Sequence, residues 1–310
     1  MENDLPLLSL CIPTNGRAEW VIPLLESIYS QEEDPACFEV IITDNAGNPQ
    51  LAAAVDAMAH PNLKYFPTES AGFTNQIDAF EKCRGIFCKM LNHRSVLRPG
   101  SLRSLLSLVE RYRQDKPLIY CTNGVLKKRG DTIECDSLDA FVSELGIYAS
   151  WSAGTALWRE DLHDIRSKPI DNTFPHTVFL FDVRENGPYL IWDGRYHKLQ
   201  NDASSGGYNP FEAFGITFLN LMSRLRQEGR IRPETFEKVR QDVFVFLRTL
   251  HFKEVMLPAK HNYILTDIPQ KMSVYFSARD YRKMVLYNFF VAPFEMAANK
   301  VRKIITGRKQ

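Results

Sequence analysis

The chain has 310 residues, 45% of them hydrophobic and 24% charged, with 38 Lys+Arg against 37 Asp+Glu. That composition excludes a disordered, collagenous or coiled-coil chain, and a net charge of +1 lacks the basic excess of a general nucleic-acid binder. The six cysteines (Cys11, Cys37, Cys83, Cys88, Cys121, Cys135) form no CxxC pair and the acidic N-terminus does not read as a signal peptide, so the expectation is a cytosolic protein with free thiols.

Taken in chain order, residues 7–12 form an apolar run closed by Pro13 and predict a strand. Val21, Ile22, Leu24, Leu25 and Ile28 then share one helical side. Residues 38–42 predict the next buried strand, which ends in a polar turn carrying Asp44 and Gly47. A helix over 50–59, a strand over 63–66, a helix over 75–83 and a strand over 86–91 follow. A further helix from about Ser101 to Arg113 leads to a strand over 118–121. Strands and helices alternating at this spacing imply a mostly parallel sheet with helices on both faces. Ligands bind such sheets at the carboxyl ends of the strands, so chemistry is expected in the turns after Ile12, Ile42 and Leu91. Residues 154–158, 174–181 and 189–192 are expected to complete the sheet, and the small polar residues of 200–208 predict a loop. Helical runs occupy the chain from Pro210 onward, which gives an α/β domain over 1–208 and a helical region over 209–310.

Four of these blocks, covering the first third of the chain in order, resemble glycosyltransferase family 2. They are Pro13-Thr-Asn-Gly-Arg17 after the first strand, Asp44 closing the second, Gly72-Phe-Thr-Asn75, and the strand around Lys89 that precedes Pro99-Gly100. The family comprises inverting, hexosyltransferase-like enzymes of GT-A fold, and the flavour here is similar to bacterial O-antigen abequosyltransferase-like enzymes of lipopolysaccharide synthesis. The resemblance implies a donor nucleotide held by Pro13, Thr14, Arg17, Asp44, Asn75, Asn92, His93 and Arg94. Asp44 also reads as a turn former, with the nucleoside contact preferred, and Asn75 reads equally as a helix cap. Where the family carries its acidic metal-binding motif, this chain has Asn92-His93-Arg94-Ser95. Magnesium and manganese need hard oxygen ligands, so no metal cofactor is expected, and Arg94 can grip phosphate in the ion's place.

An inverting transferase needs a base for the acceptor hydroxyl. The resemblance puts it after the Gly154-Thr155 strand, where Asp171 and His176 are joint candidates; His176 also reads as a partly buried helix-start residue, and Asp182 as structural. Trp151, Trp158 and Trp192 are expected in the core. Residues 277–310 hold eight basic residues against Asp280 and Glu295, a balance of +6 that leaves −5 for the remainder. Their apolar stretch, 284–298, is shorter than the roughly 20 residues a spanning helix needs. It predicts an element lying on an anionic membrane face, or a helix docked on the core or on a second subunit. The expectation is a transferase peripheral on the inner face of the cell membrane, moving sugar from a nucleotide donor to a surface polysaccharide or lipid-linked glycan. A homo-oligomer is possible in outline and nucleic acid is not a partner. The alternative is a non-catalytic nucleotide- or glycan-binding protein that keeps the fold.

Overall fold

In the computed structural model, residues 5–128, 130–200, 207–257 and 262–305 are described, from 299 onward as backbone only. They fall into two compact units, Met1–Asp202 and Ala203–Gln310. The first is laid down by alternation: β1 (Leu8–Thr14), α1 (Ala18–Tyr29), β2 (Phe38–Asp44), α2 (Pro49–Ala57), β3 (Leu63–Pro67), α3 (Asn75–Glu81) and β4 (Phe87–Met90). β1 runs parallel to both β2 and β4, and β2 parallel to β3. β1 and β2 are buried along almost their whole length because helices cover both faces. On one face Leu8, Leu10 and Ile12 pack with Val40, Ile42 and the inward stripe Val21, Leu24, Leu25 and Ile28 of α1. Each such side chain contributes about 1.5–3 kcal/mol when fully buried.

The chain continues through β5 (Ser95–Leu97), α4 (Ser101–Tyr112), β6 (Leu118–Cys121), β7 (Thr132–Cys135) and α5 (Leu138–Leu145). β8 (Ala156–Trp158), α6 (Pro175–Asp182), β9 (Tyr189–Trp192) and β10 (His197–Leu199) close the unit. The main sheet has the order β3-β2-β1-β4-β8, with β8 antiparallel to β4. Two sequence expectations are corrected here. Residues 174–181 do not complete the sheet: they form α6, started by Pro175 at its first turn and buried on every side. The 118–121 and 189–192 strands also lie outside the main sheet, pairing in parallel in a separate three-stranded sheet with β7. Short apolar runs reveal burial but neither periodicity nor partner. Of the loop expected over 200–208, residues 201–206 lie outside the described residues.

In the second unit α7 (Pro210–Glu212), capped by the Asn209 side chain, runs through a π-helical turn (Ala213–Phe218) into α8 (Leu219–Gln227). Then come α9 (Pro233–His251), α10 (Ile268–Met272), α11 (Ala278–Phe290) and α12 (Ala292–Ile305). Phe211, Phe218, Met222, Val243, Leu247 and Met284 are all buried. Among the described residues no helix is long and apolar enough to cross a membrane.

Candidate functional site

The strand order places the site before any side chain is considered. The chain adds β2 and β3 on one side of β1, then β4 on the other. Where strand order reverses, the two connections leave in opposite directions and open a crevice at the carboxyl ends of the flanking strands. Here those ends are Thr14 on β1 and Met90 on β4. The turns beyond them, Asn15-Gly-Arg17 and Leu91-Asn-His-Arg94, therefore face one another. His93 spans the gap, its Nδ1 lying 2.8 Å from the Thr14 hydroxyl.

Trp20 anchors this crevice. It lies one helical turn after Arg17 and is buried on α1. The Arg17 guanidinium sits 5.2 Å from its ring centroid and that of Arg94 5.7 Å, both within cation–π range. The His93 ring meets it edge-on at 5.1 Å. The backbone of Arg94 is held on both sides. Its N–H donates to Asn92 Oδ1 at 2.9 Å, and its carbonyl accepts from the Gln200 N–H at 2.8 Å. The Gln200 side chain in turn donates to the Trp20 carbonyl at 2.9 Å. Burial, then the Arg94 and Arg17 charges, push the His93 imidazole down to about 4. At neutral pH it is an uncharged spacer between the Arg17 and Arg94 guanidiniums. Two guanidiniums thus share one ring, Arg17 also meeting Glu19 at 3.3 Å, and guanidinium fork geometry suits phosphate oxygens.

The same arrangement bears on a divalent ion. The described residues contain no group of three His, Cys, Asp or Glu side chains that could hold one. The acidic position is Asn92-His93-Arg94, where His93 Nδ1 already meets Thr14 and two guanidiniums flank the ring. A cation there would meet the Arg17 and Arg94 charges, and the carboxylate beside them, Glu19, is already paired with Arg17 at 3.3 Å.

Asp44 and Asn75 build the crevice wall. Asp44 is fully buried: Oδ1 accepts from the Ala46 N–H at 2.9 Å, and Oδ2 from the Asn48 N–H at 2.9 Å and the Tyr65 hydroxyl at 2.7 Å. The Asn48 amide then donates to the Gly16 carbonyl at 2.7 Å, so Asp44 fixes the residue before Arg17. Gly16 has φ +78°, and a Cβ there would come within 2.9 Å of Asn48 Cβ, so this crossing requires glycine. Asn75 donates to the carbonyls of Thr14 (3.0 Å) and Thr43 (2.9 Å) and accepts from the Thr68 hydroxyl at 2.9 Å. It is no helix cap, since Thr74 holds that place. Both its N–H groups tie together the ends of β1 and β2. Pro13 lies half-buried in β1, paired with Thr43.

Because β8 is antiparallel to β4, the segment just before it lies at the same edge of the sheet as Arg94. Lys89, fully buried and with its pKa lowered by burial, donates to the Met90 carbonyl at 2.8 Å and to that of Ala153. The Tyr196 hydroxyl donates to Ala153 as well, at 2.7 Å. Trp151, expected in the core, is instead 38% exposed and packs edge-on against Tyr148; Trp158 and Trp192 are buried. His176 is buried, its Nε2 2.8 Å from the Ser150 carbonyl and its Nδ1 2.9 Å from the Gln76 side chain. Burial pushes it down to about 4, so one nitrogen donates to Ser150 and the other accepts from a Gln76 amide turned to present its nitrogen. Asp171 is half-buried; its Oδ1 accepts from the Thr173 and Phe174 N–H groups at 2.8 and 2.7 Å just ahead of α6. Trp20 and Trp151 carried no motif in the sequence. The one available signal was the Arg17–Trp20 spacing.

No protein-family model matches the sequence, and no curated protein sequence matches it. The fold is nonetheless that of GT-A-like glycosyltransferases. The TarS fragment 1–349 from S. aureus superposes with a TM-score of 0.59 at 15% identity, over 88% of this chain and 82% of that one. The same fragment with UDP-GlcNAc gives 0.59 at 14%, over 86% and 79%. With UDP it gives 0.59 at 16%, over 91% and 86%.

Proposed function

We propose that this chain is an inverting glycosyltransferase that takes a sugar from a nucleoside diphosphate donor, with Arg17 and Arg94 rather than a metal ion holding the diphosphate. The observation that carries this reading is the convergence of the two guanidiniums on Trp20 at the reversal point of the sheet. The binding of UDP-GlcNAc and UDP by TarS supports a nucleotide-sugar ligand at this fold's crevice. As the bond between the anomeric carbon and the diphosphate oxygen breaks, negative charge grows on the leaving phosphate. Two preorganised cations stabilise that charge without reorganising. Thr14, Asn92 and His93 line the crevice between them, and Asp44 and Asn75 fix its walls.

Between the two base candidates the geometry favours Asp171. Its Oδ2 accepts no hydrogen bond from the described residues, whereas both His176 nitrogens are engaged. Asp171 would take the acceptor hydroxyl proton as the alkoxide oxygen attacks the anomeric carbon from the face opposite the diphosphate. The exposed Trp151 at the same edge supports a glycan acceptor, of the surface-polysaccharide or lipid-linked kind, because sugar rings stack on aromatic faces through their C–H groups. The buried, doubly bonded His176 favours a second reading, a binder of nucleotide sugars without turnover. Incubation with UDP- and GDP-sugars and a panel of glycan acceptors, with water as the acceptor in their absence, followed by release of the nucleoside diphosphate, separates the two. Asp171→Asn should abolish release and retain nucleotide affinity; a wild-type chain that binds donors and releases nothing establishes the non-catalytic reading.

A further inference from the structure

The function proposed above leaves the basic C-terminal run unexplained. α11 is fixed in orientation by its inward side. Met284 and Asn288 are buried, and the Asn288 amide donates to the Arg248 carbonyl on α9 at 2.9 Å, 3.1 Å from His251 Nδ1. A Ser277–Asp280 capping box closes its first turn. The opposite side of the helix is therefore presented outward in a defined way.

That outward side is unlike an ordinary solvated face. Arg279, Arg282 and Lys283 are exposed in its first two turns, and Leu286, Phe289 and Phe290 are 57%, 64% and 61% exposed in its last. At 100° per residue all six fall on one stripe. The apolar surface continues past Val291 into α12, where Phe294 is 75% and Met296 49% exposed. The Tyr287 hydroxyl donates to Glu295 at 2.7 Å, holding the start of α12 against α11. Single exposed apolar residues are common, but five large ones in nine residues, Leu286, Phe289, Phe290, Val291 and Phe294, mark an interaction surface. Among the described residues Arg279, Arg282 and Lys283 have no salt-bridge partner, and the sequence adds Lys300, Arg302 and Lys303 to α12.

We propose that this outward face of α11 and the start of α12 docks on an anionic lipid bilayer, with Leu286, Phe289, Phe290 and Phe294 entering the interface and the basic residues meeting lipid phosphates. The charge selects this occupant. A symmetric contact between two copies would set the same patch against itself, and the stripe carries no acidic residue to answer Arg279, Arg282 and Lys283. A bilayer bearing acidic headgroups supplies both an apolar layer and countercharge, and each engaged Lys or Arg strengthens attachment within a Debye length of the surface.

The test uses the full chain and two vesicle types, one of phosphatidylcholine alone and one containing phosphatidylglycerol. Sedimentation is expected with the second only, weakening as salt is raised. Lys283→Glu should reduce the vesicle-bound fraction constant by about tenfold or more, whereas Lys64→Glu, the same charge change on the exposed edge strand β3, should leave it near wild type. Phe289→Ser with Phe290→Ser should abolish sedimentation while the thermal unfolding profile is retained. Equal binding to both vesicle types, no binding to either, or an unchanged Lys283→Glu variant would overturn the proposal. So would a change in oligomeric mass on Phe289→Ser with Phe290→Ser in the absence of lipid, which would make the face a subunit contact.

Discussion

Asn75 shows what a single amide does in this molecule. Its two N–H groups hold the carbonyls of Thr14 and Thr43, and its oxygen takes the Thr68 hydroxyl. Asn75→Ala removes both donations, though the Thr14 carbonyl keeps the Asn45 N–H at 3.2 Å, and should cost about 0.5–1.5 kcal/mol per lost hydrogen bond. Asn75→Asp should be no better, since a carboxylate can only accept and would face two carbonyl oxygens; denaturant unfolding of both variants checks this. The histidines make a second residue-level prediction. His93, His176 and His197 are each pushed down to about 4 by burial, opposed or aided by Arg94, Arg17 and Glu19 around the first, Asp171 near the second, and Lys89 and Arg98 around the third. An unfolded histidine titrates near 6.5. Between 6.5 and 4 the unfolded chain therefore binds more protons, and stability must fall as pH drops through that window. Each histidine contributes a loss of up to about 3 kcal/mol by its lower end. Urea unfolding at pH 7, 6 and 5 should show falling stability, with a shallower fall in His176→Gln; a flat profile would refute the burial argument. The candidate residues were legible in the sequence because turns after strands carry function. Their orientation was not: nothing in the spelling of Gly72-Phe-Thr-Asn75 tells that the amide turns inward to bracket two strands.

At the scale of elements, the crevice depends on the segment before β8 staying close to β4. The same segment also passes close over Tyr120 of β6, and Gly154 makes that approach possible. A Cβ there would lie 2.1 Å from Tyr120 Cζ, and Tyr120 donates its hydroxyl to the Trp151 carbonyl at 2.8 Å and to that of Tyr148. Gly154→Ala should therefore displace the Tyr120 ring and destabilise the fold by about 1–3 kcal/mol, the usual cost of overpacking. Gly47→Ala, with open space but φ +60°, should cost only about 1 kcal/mol from the backbone alone. Thermal melts of the two variants compare the mechanisms, and equal shifts would contradict the packing account. β1 and β2 could be read from sequence because each is seven residues long, largely apolar and followed by a helix. α6 could not: residues 175–182 are apolar almost throughout, so helical and strand periodicities look alike. Nor could the pairing of β6 with β9, since an apolar run of four residues does not name its neighbour.

For the whole molecule, the first unit provides a ligand crevice and the second an outward face of cations and aromatic rings. The sequence revealed this division through charge, +6 in the last 34 residues against −5 elsewhere, while the exposed aromatic stripe needed the helix geometry of α11. The central claim concerns the crevice: two guanidiniums replace a metal ion at the diphosphate. Calorimetric titration of UDP and GDP into the full chain and into Arg94→Ala, each with EDTA and with Mn²⁺, tests it most directly. The account predicts binding in EDTA close to that with Mn²⁺, and a loss in Arg94→Ala of about 1.5–3 kcal/mol, roughly 10- to 150-fold, as expected for hydrogen bonds to a charged group. Binding that appears only with Mn²⁺, or an Arg94→Ala variant with wild-type affinity, would contradict it.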